Sequence, residues 1–265
     1  MLPKEWYIAQ ILWLEDQLSL MPRCLAVNNR GSIAVRIFND AIKNYIQISK
    51  KHEEYNFYLN VATLRKQYTN QLHEAKKQLA TIYKTNYLSI KGKYTLRNNK
   101  NIKFNQAYWE KAVTNCSKFR PDSEIVSNGV EFKSRLEKDF ASELRNLGLT
   151  FVYEPRMYIN PNKARYSDFG LFFPMFNRCV FIELMGAMNN QEYVDDQCTK
   201  LKEYLQSGFY IGRDLFILSG NEKYLPGQMQ MRDLIINIIT SLCEMYLVKI
   251  NKPHHFHEVM GVSIN

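Results

Sequence analysis

Between Val130 and Leu147, apolar side chains recur every four residues at Phe132, Leu136, Phe140 and Leu144, and Gly148 stands where such a helix stops. A helix with one apolar face must pack that face on another layer. The residues that follow supply the layer: TFVYEPRMYI, ARYSDFGLFF and RCVFIELMG read as three strands, the last two parted by a turn at Pro174–Asn177. Residues 191–207 read as a further helix, RDLFILSG as a fourth strand ending in Gly220, and 229–248 as a closing helix. The order α-β-β-β-α-β-α predicts a compact α/β unit over residues 128–265.

Two acids interrupt these apolar strands. Asp168 stands in Tyr166-Ser167-Asp168-Phe169-Gly170-Leu171, and Glu183 stands near the end of Val180-Phe181-Ile182-Glu183-Leu184-Met185-Gly186. A carboxylate inside a strand is costly to bury unless it is paired or bound to a metal. If the two strands are neighbours, both carboxylates can converge on one hard cation, and Glu137 can reach the same place from the helix behind the sheet. The plainer alternatives are a strand-end Asp168 accepting backbone N–H groups and a Glu183 facing solvent on an edge strand. Glu131 and Glu143 read as solvated residues of the helix. Lys200 and Lys202 lie in a mixed-charge stretch that also suits a solvated face.

The first half reads differently. Residues 4–20 have helical spacing, Asn28–Ser32 is a turn, and Ser32 is placed to cap a second helix to about Ser49 with Val35, Phe38, Ile42, Tyr45 and Ile46 inward. A third helical pattern runs from Glu53 to Tyr83, and helix signals return at 105–118 after a stretch without a clear element. A mostly helical module over residues 1–127 is therefore expected. Its charge is concentrated: residues 1–127 hold 20 basic and 10 acidic groups, net +10, against 15 and 16, net −1, in residues 128–265. Residues 65–120 alone carry 13 basic residues against Glu74 and Glu110. A polyanion partner follows from that density. Lys84, Lys91, Lys93, Arg97, Lys100 and Lys103 alternate with Tyr83, Tyr87, Tyr94 and Tyr108, the composition of a surface that holds phosphates and stacks bases.

Other classes are disfavoured. The five cysteines are dispersed without a CxxC pair, which fits a reducing, cytoplasmic setting better than a disulfide framework. The N-terminal apolar stretch is broken by Glu5, Glu15 and Asp16, and Leu234–Ile250 is too polar to span a membrane, so no membrane partner is expected. His254, His255 and His257 are clustered too tightly to suggest a zinc site.

The run Phe132-Lys133-Ser134-Arg135-Leu136-Glu137, then Phe140, Leu144 and Gly148, then Tyr153-Glu154-Pro155, Asp168-Phe169, and Glu183 with Gly186 resembles the PD-(D/E)XK nuclease superfamily. More narrowly it is similar to restriction-endonuclease-like proteins of phages and mobile elements. The resemblance covers about residues 130–220 and leaves the first 120 unmatched. It implies a restriction-endonuclease-like α-β-β-β-α-β core and Mg²⁺-dependent hydrolysis of DNA, with Mn²⁺ as a substitute and RNA left open as a substrate. Asp168 and Glu183 would be the metal-binding carboxylates, Glu137 the helical acid that completes the site, and Tyr153-Glu154-Pro155 structural. The implied setting is the cytoplasm of a bacterial or phage-infected cell, with a second copy of the chain or another protein as a partner.

Two positions depart from the pattern. Ser167 replaces a proline that shapes backbone. Met185 replaces the lysine expected two residues after Glu183, and a thioether cannot do an ammonium's work at a phosphate. Three explanations stand: Lys200 or Lys202 supplies the charge from the next helix; the chain is a lysine-to-methionine form of an active enzyme; or the domain is naturally silent and serves as a DNA-binding or assembly subunit beside a partner enzyme.

Overall fold

The architecture comes from a computed structural model that describes residues 1–29, 31–97, 102–114, 116–117 and 125–250. Helix α1 (Lys4–Leu20) leads into strands β1 (Cys24–Asn29), β2 (Ser32–Asn39) and β3 (Asn44–Ile48), and then into the long helix α2 (Tyr55–Tyr83). Strand β4 (Tyr94–Leu96), helix α3 (Gln106–Thr114) and the short pair β5 (Val126–Ser127) and β6 (Val130–Glu131) precede helix α4 (Arg135–Asn146). There follow β7 (Phe151–Tyr153), β8 (Arg156–Asn160), β9 (Lys163–Tyr166), β10 (Phe169–Phe173) and β11 (Arg178–Met185). Helix α5 (Gln191–Gln206), β12 (Leu215–Ser219), α6 (Gln228–Tyr246) and β13 (Leu247–Lys249) complete the described chain.

The amphipathic spacing after residue 130 does form a helix, but one that starts at Arg135. Ser134 caps it, its Oγ accepting the Glu137 N–H at 3.2 Å, and Gly148 takes a φ of 70° after its end. Leu136, Phe140, Ala141 and Leu144 are buried against the central sheet, whose order is β12-β11-β10-β7. β7, β10 and β11 are antiparallel neighbours, and β12 joins β11 in parallel after the α5 crossover. All eight residues of β11 are buried, as an internal strand covered on both faces requires. Val180, Ile182 and Leu184 belong to the cluster shared with α4 and α6, while Cys179 and Phe181 face the other way, toward Phe104, Tyr204 and Phe209.

Two of the strands expected from sequence are each two strands. Glu154 adopts a left-handed φ of 49° and Pro155 has no N–H to continue a ladder, so β7 ends there. Among the described strands β8 then pairs only with β9, as a separate hairpin, and the chain re-enters the central sheet at Phe169.

The larger correction lies in the first half. The segment expected as a helix from Ser32 to Ser49 is two strands of a three-stranded antiparallel sheet, β1-β2-β3. The β-branched residues Ile33, Val35, Ile37, Ile46 and Ile48 alternate along β2 and β3, and Asn39 turns the hairpin by accepting the N–H groups of Ala41 and Ile42 through its side chain. The module therefore carries a β-sheet beside helices α1, α2 and α3, which still hold most of its regular structure. Contacts also cross residue 127. Trp6 and Ala9 of α1 lie in the main core, Trp6 edge-on to Phe173 at 5.8 Å, and β4 pairs with β13 in register Leu96↔Leu247. Among the described residues no helix is long and apolar enough to cross a membrane. The three C-terminal histidines lie outside the described residues.

Candidate active site

Extending the β10–β11 register by one step from Phe169↔Ile182 sets Asp168 opposite Glu183. The two strands bearing the acids are thus neighbours, and the two carboxylates share one face, the side on which α5 packs. Glu183 is 1% exposed, and both of its oxygens are engaged from α5: Lys200 Nζ is 2.7 Å from Oε2, and the Tyr204 hydroxyl donates to Oε1 at 2.7 Å. Burial raises the Glu183 carboxyl above its ordinary range, with Lys200 and Tyr204 opposing. Asp168 Oδ2 accepts the Leu184 N–H at 2.6 Å, which is the plainer role considered for it. Asp168 is half-buried; the desolvation of its carboxyl, with the Glu183 charge second, pushes it well above the usual aspartate range. Among the described residues no hydrogen bond reaches Oδ1.

Glu137 approaches from the first turn of α4 and is 8% exposed. Its Oε2 accepts the Tyr153 hydroxyl at 2.5 Å and the Lys133 N–H at 2.9 Å, while the Lys133 ammonium pairs with Glu154. Tyr153-Glu154 is thus a bracket around the helical acid as well as the end of β7. The Tyr153 phenol is driven up by burial first and by Glu137 second. The charge of Glu137 is felt at both Asp168 and Glu183, so the three acids form one electrostatic group.

Of the two lysines considered, Lys200 reaches the acids and Lys202 is exposed to solvent. Met185 is 3% exposed and buried in β11 beside Ser219 of β12. Glu143, expected in solvent, is buried: Gln228, Asn146 and Arg232 all donate to it, tying α4 to α6. Sequence reasoning missed Tyr193 and Tyr204. Burial and the charges of Asp168 and Glu183 raise the Tyr193 phenol. Tyr193, Lys200 and Tyr204 are spaced seven and four residues apart, one stripe of a helix, and that spacing was available to find them.

A hard cation is the group this donor set suits: two facing carboxylates and a third acid within electrostatic reach, with Asp168 raised by burial and by the Glu183 charge against the opposing pull of Lys200 and the Leu184 N–H. Among the described residues no three His, Cys, Asp or Glu side chains already stand as a ligand cluster. The fit therefore rests on Asp168 and Glu183 as a pair.

Lys84, Lys91, Lys93 and Arg97 are exposed. Lys103 is also exposed, but its ammonium hydrogen-bonds the Ser207 carbonyl and lies 5.1 Å from the Phe104 ring. Lys100 lies outside the described residues. The interleaved tyrosines are structural: Tyr87 is buried with its hydroxyl on Glu15, Tyr83 binds the Leu2 carbonyl, Tyr108 accepts the Tyr158 N–H, and Tyr94 packs between α1 and α2. The basic stretch can hold phosphates, but these rings are not free to stack bases. The chain matches no protein-family model, no curated protein and no solved structure.

Proposed function

We propose that the chain is a metal-dependent endonuclease that hydrolyses DNA phosphodiester bonds, with a restriction-endonuclease-like core formed by α4, β7, β10, β11, α5 and β12. The observation that carries this reading is the Lys200–Glu183 pair opposite Asp168: it supplies an ammonium beside the two carboxylates although Met185 occupies the usual place of the lysine. The sheet order, with its antiparallel triplet and parallel fourth strand after a helical crossover, supports the same reading.

Asp168 and Glu183 would hold Mg²⁺ or Mn²⁺, with Glu137 completing the site; when bound, the metal polarises the phosphate and lowers the pKa of an attacking water. In hydrolysis the water oxygen bonds to phosphorus, the bond to the leaving sugar oxygen breaks, and that oxygen takes up a proton. Lys200 places positive charge where the phosphate's negative charge grows. Tyr204 orients Glu183, and Tyr153 with the Lys133 N–H fixes Oε2 of Glu137. Lys84, Lys91, Lys93, Arg97, Lys100 and Lys103 provide charge that draws the polyanion toward a domain of net −1.

Incubation of the protein with plasmid DNA and Mg²⁺ or Mn²⁺ tests the reading: cleavage that EDTA stops, that Asp168→Ala and Glu183→Ala abolish, and that Lys200→Ala cuts by about 100-fold is expected. Full cleavage by Asp168→Ala would exclude the site. The buried Met185 favours a second reading, a silent nuclease-fold subunit that positions DNA for a partner enzyme. In that case the natural chain is inert with either metal, and a Met185→Lys variant that gains cleavage identifies an inactivated enzyme.

A further inference from the structure

The three-stranded sheet carries no residue of the site above and contributes nothing to the three apolar clusters of the core. By register its two faces differ. Cys24, Ile33, Val35, Ile37, Ile46 and Ile48 share one face, which α2 meets where the Cys24 thiol reaches the Tyr58 carbonyl at 3.6 Å. On the other face Arg36 and Gln47 are direct cross-strand partners, both exposed, and the next rung is Phe38↔Tyr45, rings 5.2 Å apart. Arg23 stacks on Phe38 at 4.0 Å and binds Asp40 at 2.6 Å, bracing the hairpin. Asp40 is the one acid between residues 23 and 51, against six basic residues, net +5. Lys43 stands at one end of β3, Lys50 and Lys51 just beyond the other, all exposed.

We propose that this sheet is a reading surface for duplex DNA, with the β2–β3 hairpin in the major groove, Arg36 and Gln47 at base edges, and Lys43, Lys50 and Lys51 on the flanking phosphates. The proposal rests on the nuclease reading for its substrate and adds a contact that reading does not contain. The three strands, about 4.8 Å apart, set β1 and β3 about 10 Å from each other, and β-sheet readers present such strands to a major groove about 12 Å wide. From Asn44 to Ile48, β3 spans about 13 Å at roughly 3.3 Å per step, so lysines at its ends bracket such a groove. Arginine and glutamine are the side chains whose paired donors and acceptors match guanine and adenine edges there. The surplus of positive charge selects a polyanion over an apolar protein surface.

The test is selection from a random duplex library by the full-length protein in EDTA, followed by fluorescence anisotropy with the enriched duplex, an unrelated duplex and the matching single strand. The wild type should enrich a sequence and prefer its duplex. Arg36→Ala/Gln47→Ala should lower affinity for the enriched duplex by about 10-fold to 100-fold, toward that for the unrelated one. Lys50→Ala/Lys51→Ala should weaken both duplexes alike and reduce the slope of log K against log salt by about two. These side chains are exposed, so a thermal melt matching the wild type accompanies each variant. Variants that bind like the wild type, a wild type that enriches nothing, or a preference for the single strand overturns the proposal. Metal-dependent cleavage that persists beside any of these leaves the nuclease reading intact, whereas a wild type that neither binds nor cuts DNA removes both.

Discussion

Asp168 shows what the acid cluster costs the fold. Its proton affinity is raised in the folded chain, so the native state holds that proton more tightly than the unfolded chain does. The penalty for ionising it is absent below the ordinary aspartate range, grows as pH rises through the interval up to the folded value, and is fully present above it. Asp168→Asn keeps a carbonyl oxygen for the Leu184 N–H and removes the charge. The variant should therefore melt higher than the wild type near neutral pH, by roughly 2–4 °C per kcal/mol gained, and lose that advantage at acid pH. A melting temperature lowered at pH 7 would show that Asp168 stabilises the native chain. Lys200→Ala should act in the opposite sense, because it leaves Glu183 buried beside Tyr204 without its cation; about 3 kcal/mol should be lost at neutral pH. Lowering the pH lets Glu183 take up a proton and should shrink that loss, which urea melts at two pH values would measure.

At the scale of elements, Glu143 joins α4 to α6. Burial pushes its carboxyl up, but hydrogen bonds from Gln228, Asn146 and Arg232, with the Arg232 charge, outweigh it and hold it below the usual glutamate value. Stability from this group is complete above the ordinary glutamate range and is lost as pH falls through the lowered folded value. Glu143→Ala should cost about 2 kcal/mol at pH 7 and less in strong acid, and equal losses at both pH values would contradict that origin. The pairing was not legible because Glu143 looks like any polar residue of an amphipathic helix until Arg232 is brought to it from 89 residues away. Helices α4 and α6 were legible because their apolar spacing is also their buried face. Residues 32–49 satisfied two periods at once: Val35, Phe38, Ile42, Tyr45 and Ile46 suit a helix, and Ile33, Val35, Ile37, Ile46 and Ile48 suit strands. The Asn39-Asp40 turn decided it, and its weight is clear only once Asn39 is seen accepting two backbone N–H groups.

Across the whole molecule, the acids of the candidate site were readable because a charged residue breaks an apolar strand, whereas their cation was not, since Lys200 comes from a helix whose rotation the sequence leaves open. The division of charge at residue 127 was equally plain in the sequence, yet it is not a division of the core. Trp6 and Ala9 pack among residues of α4, β10 and α6, and β13 takes its only described strand partner, β4, from the basic half. The helix that carries Trp6 also packs on α2, so the basic segment and the acidic site are coupled through one apolar layer. Residues 128–265 made alone would leave the Trp6 contact on Phe173 open to water and β13 unpaired. Removing a buried Trp typically costs about 3–5 kcal/mol, a large part of the roughly 5–15 kcal/mol that holds a domain together. The fragment should therefore show a broad, low melt with weak near-ultraviolet dichroism, and Trp6→Ala in the full chain should lose about 3 kcal/mol although it lies far in sequence from every acid of the site. A fragment that unfolds cooperatively at the temperature of the full chain would mean that α1 merely rests on the core, and that the basic half and the candidate site are separable parts.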